Sequence, residues 1–265
     1  MNKRIIFALL YRDGNFFLSR NFRLQKVGDV NWLKNNFGFG ETCHFIDELM
    51  IIMVKKSPSL EDYKKYFEDI YELRKNIFVP ITLGGGIRNL ENAKNCFLNG
   101  ADKVLINTSF YKDGDLINEI NYNYGSQAIT LMLDYKIKTE NLGRVIFTDC
   151  GTKNYHKLNN EIISKISNSD CGEVIINSID QDGTGAGLDF EALDLFPLNF
   201  KKPLLLMGGS GKPEHIKEAL NKDQLSGIVT ANLFNFLGTG LEISRNMAIN
   251  SGIKLAKFEK LDLNP

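Results

Sequence analysis

The chain has 265 residues, 43% of them hydrophobic, and its 32 basic and 32 acidic side chains leave no formal net charge at pH 7. That length can bury one large core or two small ones, and a zero net charge argues against a broad nucleic-acid footprint. No apolar run approaches the length of a membrane span, so no membrane association is expected.

Taken in order, apolar runs of strand length alternate with amphipathic stretches. The expected strands are 4–10, 48–53, 79–84, 102–107, 128–134, 173–178, 203–208 and 226–231. Helical patterns lie near 30–37, 59–75, 89–98, 113–123, 157–168, 188–195, 213–221 and 239–249. The helix near 59–75 has a start signal: Ser57 is read as its N-cap and Pro58 as its first residue. Glu61 and Asp62 follow, near the positive end of the helix dipole. Strands with so few polar breaks suit a parallel sheet covered on both faces. Eight such units in about 250 residues fit a closed (β/α)8 TIM barrel. A doubly wound open sheet is the alternative.

Residues 11–29 and 137–156 are longer than ordinary connections. Both follow the C-terminal ends of strands, where barrel enzymes carry their chemistry. The barrel is expected over residues 1–250, with 251–265 a loosely attached polar tail. A strand beginning at residue 4 leaves no room for a signal peptide. Cys43, Cys96, Cys150 and Cys171 lack paired metal spacing and are read as buried thiols in a reducing compartment. His44, His156 and His215 are scattered. No metal and no cofactor is expected, and the cytoplasm is the default location.

A repeat runs through the chain. Leu83–Arg88 recurs as Met207–Lys212, and Val104–Phe110 as Ile228–Phe234, both offset by 124 positions. Asp47–Ile52 recurs loosely as Gly172–Asn177. The opening strand recurs as Ala128–Lys136, which places Asp134 where the first copy has Leu10. Matches in order at one offset indicate two homologous half-barrels, about 1–124 and 125–250. A repeat of this kind favours the closed barrel over the open sheet.

Gly84-Gly85-Gly86 and Gly208-Gly209 each follow a strand and precede a helix. Glycine lets the backbone approach an anion, and helix N-terminal N–H groups point at it. Asn107-Thr108 and Ala231-Asn232 end the next strand of each half, and Asp182-Gly183 opens a glycine-rich turn. These residues are the candidate phosphate site pair: Gly85, Gly86, Asn107 and Thr108 in one half, Asp182, Gly183, Gly208, Gly209, Ala231 and Asn232 in the other. At the strand starts stand Arg4, Glu48, Lys103 and Glu173, two bases and two acids able to close the barrel's end with salt bridges. Asp134 projects into the opposite mouth as the candidate catalytic acid. Strand two ends in Ile52-Met53 and adds no other.

With these motifs on the page, the chain resembles the cyclase (synthase) subunit of imidazole glycerol phosphate synthase, of the histidine-biosynthetic barrel family. The resemblance is carried by Lys3-Arg4-Ile5-Ile6, Asp47-Glu48-Leu49, Gly84-Gly85-Gly86-Ile87, Gly100–Val104, Ile106-Asn107-Thr108, Gly125–Ala128, Ser178–Thr184 and Gly208–Lys212, and covers nearly the whole length. It implies a glutaminase subunit docked on the N-terminal rim and ammonia passing through the barrel. It assigns Arg4, Glu48, Lys103 and Glu173 to a charged gate, the glycine turns to two phosphate sites, and Asp134 to one of two catalytic aspartates. The other falls on Leu10. A family lysine falls on Leu18, an acid on Met53, a serine on Met207, and the usual phosphate-site serine on Asn232.

Loss of a positioned acid or base typically costs about 100- to 10,000-fold. The pattern is similar to a divergent branch of the family tied to surface-polysaccharide pathways. That resemblance implies that the barrel and its glutaminase supply ammonia to a separate ATP-using amidotransferase that makes acetamidino sugars. Arg20–Leu24 and Val27–Asp29 also look like that branch. The alternatives are an authentic cyclase of histidine biosynthesis and a non-enzymatic phosphate-binding scaffold. Asp13 and Tyr11 are candidate stand-ins for the missing acid if they fold inward.

Overall fold

The computed structural model describes residues 2–36, 43–75, 77–112, 115–138, 143–231 and 239–256. In chain order its strands are β1 (Arg4–Arg12), β2 (Asn15–Arg20), β3 (Arg23–Gly28), β4 (Glu48–Met53), β5 (Ile81–Gly84), β6 (Lys103–Ile106), β7 (Ile129–Lys138), β8 (Gly143–Thr148), β9 (Lys153–Lys157), β10 (Glu173–Ser178), β11 (Leu204–Met207) and β12 (Leu225–Thr230). Eight of them, β1, β4, β5, β6, β7, β10, β11 and β12, form a parallel cylinder. It closes because β10 pairs with β7, Glu173 opposite Thr130 through Ser178 opposite Tyr135. Every expected strand is present.

Closure follows from side chains alternating along each strand. On β1, Ile5, Phe7, Leu9 and Tyr11 join the core between sheet and helices, while Ile6 and Ala8 turn inward. The inward set continues with Met50, Leu105, Met132, Ile175, Leu205, Met207 and Val229, so the barrel's centre is filled by hydrocarbon. Few polar breaks occur because both faces of each strand are covered.

The two long connections are β-hairpins. β1 runs on to Arg12, turns at Asp13 and Gly14, both at positive φ, and pairs antiparallel with β2, which pairs with β3. β7 likewise runs on to Lys138 and pairs with β8, then β9. The repeat shows in these pairings: Leu10 faces Phe17, and Asp134 faces Phe147.

Three local expectations are corrected. The helix Leu60–Arg74 is capped by Ser59, not Ser57. Ser59 accepts from the Asp62 N–H, and Asp62 reaches back to the Ser59 N–H at 2.7 Å, a reciprocal box that Ser57 cannot form. The segment 188–195 is a 3-10 helix, Phe190–Leu195. The tail is tied down through residue 256: Leu255 is buried, the Lys3 N–H donates to the Lys254 carbonyl, and Arg245 donates to the Ala256 carbonyl. No described helix is long and apolar enough to cross a membrane.

Candidate functional site

Inward-facing positions at the strand starts build a closed ring. Arg4 reaches Glu48 at 3.1 Å and Glu173 at 2.6 Å; Lys103 reaches the same two carboxylates at 2.7 and 2.9 Å. Thr82 donates to Glu48 at 2.5 Å and Thr130 to Glu173 at 2.7 Å. Burial works against the Glu173 charge, but Lys103 and Arg4 outweigh it and hold the carboxyl below the usual range. Burial also opposes charge on Arg4, and Glu173 and Glu48 together push its guanidinium up. Four charges with their hydrogen bonds largely satisfied can survive at a partly buried end; any one alone could not.

The other end opens into a cavity of about 710 Å³. Its floor is apolar: Leu10, Ile52, Leu105, Met132 and Met207. Asp134 stands in that floor, 7% exposed. Asn107 Nδ2 donates to its Oδ2 at 2.9 Å and Asn177 Nδ2 to its Oδ1 at 2.7 Å. Burial raises its carboxyl to about 7; the two amides pull the other way and the Asp182 charge adds to the rise. A carboxyl poised near neutrality can take or give a proton under ordinary conditions.

Both glycine turns flank the cavity system. At Gly85, φ +96°, an added Cβ would lie 2.0 Å from the Met53 carbonyl; at Gly209, φ +97°, 1.9 Å from the Gly187 carbonyl. No side chain fits at either; Gly85 and Gly86 are half-buried, while Gly208 and Gly209 are buried and the Gly209 carbonyl accepts the Gly187 N–H. Lys56 and Arg88 line the cavity on the side of Gly85 and Gly86, and among the described residues neither is in an ion pair. A smaller cavity lies beside the second turn, lined by Leu18, Ser19, Asp182, Gly183, Gly208, Gly209 and Ala231 among others.

A model of the histidine biosynthesis protein family matches residues 43–239. Over 260 residues the chain is 40% identical to a Parasynechococcus marenigrum protein provisionally named imidazole glycerol phosphate synthase subunit hisF2, covering 98% of this chain and 95% of that one. It is 32% identical over 253 residues to the imidazole glycerol phosphate synthase subunit HisF of Chlorobium phaeovibrioides, with 95% and 97% covered. To HisF of Pelodictyon phaeoclathratiforme it is 34% identical over 236 residues, with 88% and 90% covered. The chain belongs to the HisF-like histidine-biosynthesis family.

Against that family pattern, Leu10 is buried in the cavity floor, opposite the expectation for an acid. Tyr11 does not fold inward: its hydroxyl donates to buried Asp69 at 2.7 Å, between sheet and helix. Asp13 lines the outer cavity, held by Lys55 at 2.8 Å. Met53 packs in the outer core, so Ile52 is the residue of β4 that closes the floor. Leu18 reaches only the smaller cavity.

Asn107 and Thr108 both line the large cavity, though Asn107 already serves Asp134 and Thr108 Oγ1 accepts the Asp149 N–H at 3.0 Å. Asp182 is engaged by the first hairpin. Its carboxylate accepts from Ser19 Oγ at 2.5 Å and from the Phe22 N–H at 3.0 Å, and the Asp182 carbonyl accepts the Asn21 N–H. Burial raises its carboxyl. Asn232 lies outside the described residues. Cys96 and Cys171 are buried as expected, but Cys150 is exposed on the cavity wall, because Asp149 and Cys150 take left-handed turns that lift the thiol outward.

Sequence reasoning missed Thr82, Thr130, Asn177, Lys56 and Arg88. The first three were readable: counting by twos from Glu173 gives Asn177, and the ring's neighbours on β5 and β7 fall on threonines. Lys56 and Arg88 sit in turns, where no periodicity marks direction.

Proposed function

We propose that this HisF-like chain is the barrel subunit of a glutamine-dependent amidotransferase complex. A glutaminase docks on the N-terminal rim, and ammonia passes the charged ring and the apolar interior to the mouth. The observation that carries this is the ring of Arg4, Glu48, Lys103 and Glu173 standing beneath inner layers of hydrocarbon that separate it from Asp134 and Asn177. Such a lining admits neutral ammonia and opposes ammonium. Ahead of strand starts, Phe78 and Leu198 on connections and Leu98 and Tyr122 in the last turns of helices are exposed. Exposed large apolar side chains at that end of the barrel suit a protein partner.

In this reading the ligand at the mouth is phosphorylated. It meets the half-buried Gly85-Gly86 turn in the large cavity, with Lys56 and Arg88 on the same wall, and the Gly208-Gly209 turn in the smaller one. With one acid where the family has two, ordinary cyclase turnover is reduced or lost. The nitrogen then serves another acceptor, an acetamidino-sugar precursor handled by a separate ATP-using enzyme. The alternative, an authentic cyclase subunit, is favoured by Asp134 keeping both amide partners and a carboxyl near neutrality.

One assay separates them. The purified chain is given the family's ribulosyl aminoimidazole bisphosphate substrate with excess ammonium salt, which removes the need for a glutaminase. Absence of ring closure, with bisphosphate binding retained by calorimetry, is the expected result. Turnover at a rate ordinary for the family would establish the alternative.

A further inference from the structure

The inner end of the mouth has an unanswered acceptor. Asn177 is 2% exposed, its Nδ2 is committed to Asp134, and its Oδ1 is buried with no hydrogen-bond partner among the described residues. Asp134 is in a similar position. Each of its oxygens takes one amide donor, which leaves lone pairs open. No lysine or arginine among the described residues reaches it within ion-pair distance. The groups that bear on it electrostatically are Asp182, Tyr111 and Cys150, none of them a cation. The surrounding floor, Leu105, Met132 and Met207, offers no donors. Asp134 and Asn177 are register partners on β7 and β10, both inward, two layers above Thr130 and Glu173.

Buried acceptors without donors are costly and are answered by whatever occupies the site. An occupant of this site must bring several N–H or O–H donors in a small volume. We propose that Asp134 and Asn177 form a seat for the nitrogen nucleophile, the carboxylate accepting one N–H and Asn177 Oδ1 another. This rests on the reading of the barrel as a nitrogen-delivery route and names where that route ends. Asn177 acts as a positioning residue: it orients Asp134 with one atom and the nucleophile with the other.

The test uses the intact chain with carbon-13-labelled aspartate, the Asp134 carboxyl signal being assigned by its loss in Asp134→Asn. The signal is titrated in ammonium chloride and in potassium chloride at equal ionic strength. Potassium has the same charge and nearly the same size, but no N–H. The expected result is a proton affinity at Asp134 about tenfold lower in ammonium, shrinking to within about twofold in Asn177→Leu. Equal titrations in the two salts would overturn the seat, showing water or a plain cation there. So would a full difference surviving in Asn177→Leu. If that variant does not fold, Asn177→Ser takes its place, and the wild-type comparison of salts stands without either. If ammonium leaves Asp134 untouched while glutamine use remains coupled through the ring, the seat is wrong and the route stands.

Discussion

Arg4 and Lys103 belong to strands three places apart in the barrel, and both grip the same two carboxylates, Glu48 and Glu173. Neither cation can move without leaving both acids dependent on the other. The four side chains therefore depend on one another, and the loss of one is felt by the others in stability.

Lys103→Met should destabilise the chain by about 3–5 kcal/mol, the cost of a buried charge deprived of its partner. Adding Glu173→Gln should recover a large part of that loss, since Arg4 then suffices for Glu48. Denaturant unfolding of the two variants checks this. In complex with a glutaminase, Lys103→Met should also release ammonia to solvent instead of product.

Asp134 gives the folded chain a proton-binding site stronger than in the unfolded chain, where an aspartate titrates near 3.8. Protons therefore favour the folded state. The contribution is complete below the unfolded value and is lost as pH rises to about 7. Relative to Asp134→Asn, the wild-type chain should lose about 4 kcal/mol of stability across that window. Chemical denaturation at several pH values measures it; parallel curves would mean that Asp134 is ionised throughout.

Leu10→Asp places a second carboxyl in an apolar floor. Ring closure should rise by about 100-fold or more over the wild-type chain. Stability should fall at neutral pH, because the new carboxylate would be buried among hydrocarbon. Steady-state kinetics with ammonium and thermal unfolding read the two effects separately.

Gly209→Ala drives a methyl group into the Gly187 carbonyl and forces a positive φ on alanine. A cost of about 1–3 kcal/mol is expected from the backbone alone, with weaker binding of a bisphosphate. Gly252→Ala, also at positive φ but with nothing within 4 Å, should cost less and leave binding unchanged.

The barrel was legible because eight apolar runs recur at regular spacing and the repeat fixes their pairing in two halves. The ring was legible because strand starts are where inward side chains meet. The hairpins were not recognised, although Asp13-Gly14 between apolar alternations is a hairpin signal; Asn15–Arg20 and Arg23–Gly28 mix charged and aromatic residues and hide the period. Asp182 was read as a phosphate-site residue, whereas its carboxylate is held by Ser19 and the Phe22 N–H of the first hairpin. Local sequence carries no trace of such a contact.

Leu10 opposite Phe17 and Asp134 opposite Phe147 occupy matching rungs of two separate hairpins. If the 124-residue repeat records a gene duplication, the ancestral unit already carried a strand that overran the barrel rim and folded back with a phenylalanine beside its reactive position. The mouth's decorations are then as old as the barrel itself. On that history Leu10 and Asp134 descend from one position, and the two halves now differ there by a hydrocarbon and a carboxylate.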